Sequence, residues 1–181
     1  MQMTACIWTN IQKSIQTDRE HKEESMSLPQ DITPFNSELM DTLVKSTDMD
    51  WIPMEADPKR GFMKILWTGS ESGTWAVLFR WLKGYVAPPH KHLTASHTFI
   101  IKGKLQVRDG ILKTGDYVYE ANGMVHGATK ALEDTDYIFI CNGPVLFFDD
   151  NKFTAYLGWE ELRRLQAAHN TAKAPKRKKA A

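Results

Sequence analysis

Gly84-Tyr85-Val86-Ala87-Pro88-Pro89-His90-Lys91-His92, followed by His97, Gly103, Gly115, Gly123 and His126, is the stretch on which fold and function turn. It holds four of the chain's six histidines. Residues two apart on a β-strand project to the same face, so His90 and His92 can present their imidazoles side by side, as adjacent residues cannot. His97 and His126 can close a site from neighbouring strands. Neutral imidazole suits Zn, Fe, Cu or Ni, and no Cys pair stands nearby to make a structural zinc knuckle. The stretch reads as a mononuclear metal centre inside a small β-barrel.

The flanking sequence has a matching texture. From Trp51 onward, short apolar runs alternate with Gly, Pro, Asn and Asp at the spacing of an all-β sandwich or barrel. Strands are expected over 62–67, 74–82, 85–87, 96–102, 104–108, 116–120, 136–142 and 145–148, with an outer strand over 153–157. Within 74–82, Trp75, Val77, Phe79 and Trp81 share one face, and Ala76, Leu78, Arg80 and Leu82 the other. Such a strand calls for cover on both sides, from a second sheet or a partner subunit. Trp159 to His169 reads as a closing helix, with Glu160 and Glu161 in the first turn, where the helix dipole favours them, and His169 at its end. A shorter amphipathic helix is expected from Asn36 or Ser37, with Leu39, Met40, Leu43 and Val44 on one face.

These readings divide the 181 residues into an N-terminal extension over 1–34, one domain over 35–168 and a basic tail over 169–181. The run Asp18-Arg19-Glu20-His21-Lys22-Glu23-Glu24 in the extension is a solvated charge cluster. A formal net charge of +1 exerts no global pull toward nucleic acid or a membrane surface, so neither is an expected partner. No run is long enough to span a membrane, and the N-terminus lacks the pattern of a secretion signal. Cys6 and Cys141 lie far apart and form no spaced framework, which points to a reducing compartment and a cytoplasmic protein.

Written as spacings, the central stretch is Gly84, five residues, His-x-His, four residues, His97, five residues, Gly103; then Gly115, five residues, Ala121-Asn122-Gly123, two residues, His126. It resembles the two motifs of the cupin superfamily, whose ligands are a His-x-His pair, usually a Glu, and a later His. The resemblance implies an all-β, single-domain cupin, a double-stranded β-helix or jelly-roll barrel with short flanking helices. His97 stands near the place of the usual Glu, and Ala121 where Pro is usual.

Gly73-Thr74-Trp75 through Arg108, with Gly143-Pro144, Phe147-Phe148-Asp149-Asp150-Asn151 and Gly158-Trp159, is similar to the branch of acetylacetone dioxygenase and 2,4'-dihydroxyacetophenone dioxygenase. That similarity implies Fe(II) held by His90, His92 and His126, with His97 as a further candidate ligand and Zn, Mn or Ni as alternative ions. It places Arg108 and Glu120 in a hydrogen-bonded network beside the metal, and Ala87, Thr129, Tyr137 and Cys141 along the substrate pocket. The implied partners are a dicarbonyl or hydroxyketone and O2, with a homodimer or homotetramer as the assembly. Three neutral imidazoles leave an ion its full charge, which favours an anionic oxygen chelate such as the enolate of a 1,3-diketone. Cleavage of a carbon-carbon bond with O2 is the implied reaction. Two other readings stand beside it, a non-catalytic zinc-holding cupin of the sensory type and a Mn or Zn isomerase or decarboxylase, because one fold hosts many reactions.

Overall fold

A computed structural model describes residues 42–108, 110–150 and 152–173. The expected extension over 1–34, the start of the helix at Asn36 or Ser37, and the tail beyond Lys173 lie outside the described residues. Leu43 and Val44, the described end of that expected helix, are non-helical and exposed.

The strands run β1 (Ile52–Pro53), β2 (Gly61–Thr68), β3 (Trp75–Trp81), β4 (Val86–Ala87), β5 (His90–His92), β6 (Ser96–Lys102) and β7 (Lys104–Val107). They continue with β8 (Gly110–Lys113), β9 (Tyr117–Glu120), β10 (Val125–His126), β11 (Thr129–Ala131), β12 (Thr135–Cys141), β13 (Val145–Asp149) and β14 (Lys152–Leu157). Helix α1 spans Trp159–Lys173. It therefore runs past the expected end at His169, because nothing in Asn170-Thr171-Ala172-Lys173 breaks it, and His169 sits within it rather than at its end. The short strands β1, β5, β8, β10 and β11 are too brief for an alternating pattern to be read from sequence, though β5 is where the histidine pair was placed.

Three sheets surround one apolar interior: β1-β2-β3-β12-β6-β9, β10-β5-β13-β14 and β4-β11-β7-β8. All pairings are antiparallel, as a barrel of successive hairpins and crossovers requires. β3 lies between β2 and β12, and its inward face, Trp75, Val77, Phe79 and Trp81, is buried throughout. Burying an aromatic or large aliphatic side chain of this kind contributes about 1.5–3 kcal/mol.

The second face of β3 is only partly covered within the chain. Ala76, Leu78 and Arg80 are half-buried. At one end Trp51 is held between two cations, with the Arg80 guanidinium 4.2 Å and the Lys64 ammonium 4.6 Å from its ring. Arg80 also pairs with Asp136 at 2.7 Å, and Lys64 Nζ donates to the Ser46 carbonyl at 2.7 Å. The segment preceding β1 is thereby tied to the sheet. The rest of that outer face leaves Trp67, Phe99, Ile101, Tyr117, Tyr119 and Ile140 exposed. Among the described residues, no helix is long and apolar enough to cross a membrane.

Glycines set the hairpin geometry where a side chain cannot. Gly103, between β6 and β7, has a φ of +88°, and a Cβ there would lie 2.4 Å from the Asp134 carbonyl oxygen. Gly84 has a similar φ of +87° with nothing within 4 Å of the same position. Gly103→Ala is expected to cost about 3 kcal/mol of unfolding free energy through strain plus clash, and Gly84→Ala about 1 kcal/mol through strain alone. Denaturant unfolding of the two variants checks the difference.

Candidate metal centre

The histidine pair owes its geometry to β5 and its two neighbours. Pro88 and Pro89 hold the entry to β5 extended, and the strand then alternates His90 inward, Lys91 outward and His92 inward. β10 pairs with β5 so that His126 lies directly opposite His90, while β13 places Phe147 opposite His90 and Val145 opposite His92. The turn that delivers β10 passes through Gly123, at φ +77°, whose N–H donates to the His92 carbonyl at 2.9 Å. Sequence-distant histidines thus meet because a tight turn and a two-residue strand set their register.

One ring nitrogen from each of His90, His92 and His126 lies within 4.8 Å of the others. Their rings are near neighbours, with centroids 5.1 Å apart for His90 and His92, 4.8 Å for His90 and His126, and 4.9 Å for His92 and His126. The His90 Nδ1–H donates to the Pro88 carbonyl at 2.9 Å, and His92 Nδ1 bonds Ser96 Oγ at 2.8 Å. Both rings are left with Nε2 as the free donor nitrogen. Nε2 of His92 and of His126 are buried without a hydrogen-bond partner. A buried polar atom left unpaired costs about 1–3 kcal/mol, and two such nitrogens converging on one point are relieved together by a cation. The donor set fits a divalent ion that accepts imidazole, and Cys141 is not in the group.

Glu120 completes the electrostatics. Ser96 faces Glu120 across β6 and β9, and its hydroxyl donates to Glu120 Oε2 at 2.6 Å. The other oxygen, Oε1, lies 2.9 Å from His126 Nε2, at ion-pair distance but out of line for a hydrogen bond. A chain His92–Ser96–Glu120 therefore runs to the neighbour of the third histidine. Burial pushes the Glu120 carboxyl up, but the His126 ring and the Ser96 hydroxyl outweigh it and hold the group below its ordinary range. Burial pulls His92 down to about 4 against the opposing pull of Glu120, and lowers His90 likewise. Burial thus favours the neutral, ligand-competent form of His90 and His92, and one buried carboxylate would offset part of the charge of an ion beside them.

Three expectations are corrected. His97 is not with the other three: β6 turns Ser96, Thr98 and Ile100 inward, so strand parity sends His97 outward, where its Nδ1 bonds the Tyr117 hydroxyl at 2.6 Å. The inward residue near the usual Glu position is Ser96, and the carboxylate arrives from the next strand. Arg108 is exposed, because β7 ends at Val107 and the chain leaves the sheet there; its Nη2 donates to the Val125 carbonyl at 3.0 Å, bracing the backbone before His126 instead of reaching Glu120. Of the four pocket residues, Ala87 and Tyr137 line the cavity described next, whereas Thr129 and Cys141 do not. Thr129 lies one strand beyond Ala87, and the Cys141 thiol ends β12 against Thr94.

A cavity of about 470 Å³ opens above His90 and His92. Its walls are Trp75, Phe79, Trp81, Tyr85, Ala87, Tyr137, Phe139, Val145 and Phe147, and helix α1 contributes Glu161 and Leu165. Exposed residues of the β1–β2 loop and of β14, among them Glu55, Ala56, Thr154 and Tyr156, form its rim. The size and apolar lining suit a small organic molecule.

The model of the ChrR cupin-like domain matches residues 39–146. The chain belongs to this cupin family. An acetylacetone-cleaving enzyme of Acinetobacter johnsonii is 31% identical over 129 residues, covering 66% of this chain and 84% of the relative. The solved acetylacetone dioxygenase from Acinetobacter johnsonii superposes with a TM-score of 0.67 at 26% identity, over 74% of this chain and 95% of that one. An RmlC-like cupin from Ralstonia eutropha JMP134, with a TM-score of 0.70 at 19% identity over 77% of this chain and 93% of that one, shares the fold. The cupin barrel and the resemblance read from the motifs are thereby established.

Two outcomes follow for the centre. Ser96→Ala is expected to weaken metal affinity by roughly ten- to a hundredfold in chelator competition, while His97→Ala leaves it unchanged. The folded pKa of His92, about 4, lies below its ordinary 6.5, so as pH falls the unfolded chain takes up the proton first. Metal-free protein is therefore expected to lose stability between those two values, and a melting temperature that stays flat from about pH 7 to about pH 5 contradicts this.

Proposed function

We propose that this cupin is a mononuclear Fe(II) dioxygenase that cleaves a carbon-carbon bond of a β-diketone or hydroxyaryl ketone with O2. The observation that carries the reading is the group of three imidazoles, two of which, His90 and His92, line an apolar cavity, in a chain 31% identical to an acetylacetone-cleaving enzyme. His90, His92 and His126 are the residues that would hold the ion. When bound, it would supply Lewis acidity toward a pair of substrate oxygens and a template for O2.

The chain's own contributions can be separated from that chemistry. The apolar walls take up the carbon skeleton and keep bulk water from the reacting end. Pro88 and Ser96 hold the tautomers that leave Nε2 of His90 and His92 available. Glu120, ionised and buried, steadies the group through Ser96 and offsets charge without entering the cavity lining. Ala87, on the wall, leaves space for an aryl or longer-chain group.

A second reading, a non-catalytic zinc-holding cupin, draws on the match to the ChrR cupin-like domain. Metal analysis of protein prepared without added metal, followed by oxygen uptake on a panel of diketones, separates the two. Stoichiometric iron with oxygen consumption supports the dioxygenase; firmly held zinc with no uptake on any dicarbonyl supports the alternative. His92→Ala is expected to empty the site and abolish uptake, and Glu120→Gln to lower metal content and turnover at least tenfold. Retained metal and unchanged activity in His92→Ala contradict the assignment. Self-association into two or four copies is also inferred, supported by the exposed apolar residues on the outer face of the six-stranded sheet; sedimentation reads it directly. A reducing, cytoplasmic setting accords with Cys141, a buried free thiol.

A further inference from the structure

The outer face of the six-stranded sheet carries side chains that the metal centre and its cavity leave unused. Strand register sets them in two rows, because directly paired residues project to the same side. The first row runs Trp67, Ala76, Ile140, His97, Tyr119, and the second Leu78, Ile138, Phe99, Tyr117. Ala76, Leu78, Ile138 and His97 are half-buried, whereas Phe99 is 46% exposed and Tyr117 and Tyr119 are 57% exposed. The charged groups bordering the rows are at their margins. Lys64 and Arg80 are held against Trp51, Asp136 pairs with Arg80, Lys102 ends β6, and Glu71 stands beside Trp67 on the β2–β3 turn.

His97 lies inside this apolar field, between Ile140 and Tyr119. Its ring centroid is 5.4 Å from that of Tyr119 and 6.0 Å from that of Tyr117, and its Nδ1 bonds the Tyr117 hydroxyl at 2.6 Å. Histidine is the one residue type in the two rows that changes charge between pH 5 and 8, and neither row holds a carboxylate to neutralise it. The exposed side chains Trp67, Phe99, Ile101, Tyr117, Tyr119 and Ile140 leave on the order of 500 Å² open to water, taking roughly 150–250 Å² for a whole aromatic side chain. Two such faces pressed together remove about 1,000 Å², the lower limit for a specific association. An apolar face with its charges at the margins complements a copy of itself, and two sheets can stack face to face about 10 Å apart. A two-fold contact brings in every residue twice, so protonation would place two cations in an apolar interface.

We propose that two copies of the chain associate through these two rows and that His97 makes the contact acid-labile. The proposal rests on the self-association inferred above and is independent of the dioxygenase reading. Separated copies accept the proton on His97 more readily than the pair does, because only in the pair is the charge withdrawn from water. By linkage, falling pH therefore shifts the equilibrium toward separated copies. An interface near the lower size limit is sensitive to such a change, since each tenfold loss of affinity is a large part of a weak association.

Analytical ultracentrifugation of the full-length, metal-loaded protein at about pH 8 and about pH 5.5 tests this, with circular dichroism following the fold in each sample. Wild-type protein is expected to associate near pH 8, with a dissociation constant at least tenfold larger near pH 5.5. Ile140→Glu, which sets a carboxylate in the first row of each copy, is expected to abolish the contact at pH 8. His97→Phe and His97→Gln keep an uncharged side chain and are expected to associate equally, within twofold, at both values. These two variants also separate the effect of His97 from that of acid on the buried histidines. Monomeric wild-type protein at pH 8 refutes the self-association and the proposal with it. Association that survives Ile140→Glu unchanged removes this face as its seat. A wild-type dissociation constant that is the same at both pH values, or a pH dependence that persists in His97→Phe and His97→Gln, overturns the role of His97 and leaves the self-association standing.

Discussion

The contact between His92 Nδ1 and Ser96 Oγ, at 2.8 Å, is the constraint on which the centre depends. It fixes one ring, leaves that ring's Nε2 facing the other two histidines, and passes on through a 2.6 Å hydrogen bond to the buried carboxylate of Glu120. Ser96 and Glu120 can meet because they face each other across β6 and β9. A slip of one residue in that pairing would turn Ser96 outward and His97 inward, since the side-chain period of a strand is two. The register of the six-stranded sheet and the chemistry of the site are one specification.

Charge and polarity divide the interior into two unlike parts. Around the histidines, the buried carboxylate of Glu120 accompanies three imidazoles; burial lowers His90 and His92, while the His126 ring and the Ser96 hydroxyl hold Glu120 down against its own burial. Above them the walls are apolar, with Trp75, Phe79, Trp81, Tyr85, Tyr137, Phe139 and Phe147 set among aliphatic side chains. The rim combines the β1–β2 loop, β14 and helix α1, so the elements outside the histidine stretch matter to function through access and shape.

Much of this was legible in the sequence. The alternation from Trp75 to Trp81 announced a buried strand, and His90-Lys91-His92 announced two imidazoles on one face. The glycine spacing located the turns that bring His126 opposite His90. What could not be read came from strand parity and from strands too short to carry a pattern. His97 was placed by its distance from His92, although counting back by twos from the buried Ile100 points to Ser96 as the inward residue. Arg108 looked like part of a strand until the hairpin turned there, at a φ of 33°. Tyr85, Trp81 and Phe147 carried no local signal of a shared cavity, because Trp81 and Phe147 lie in different sheets and Tyr85 in the loop before β4.

X-ray absorption at the metal edge of iron-loaded protein addresses the central claim most directly. The account predicts one ion with three imidazole nitrogens at about 2.0–2.2 Å, unchanged when His97 is replaced by Ala and reduced to two when any one of His90, His92 or His126 is replaced. A sulfur neighbour, fewer than three imidazoles in the wild-type protein, or the loss of a ligand in His97→Ala would contradict it.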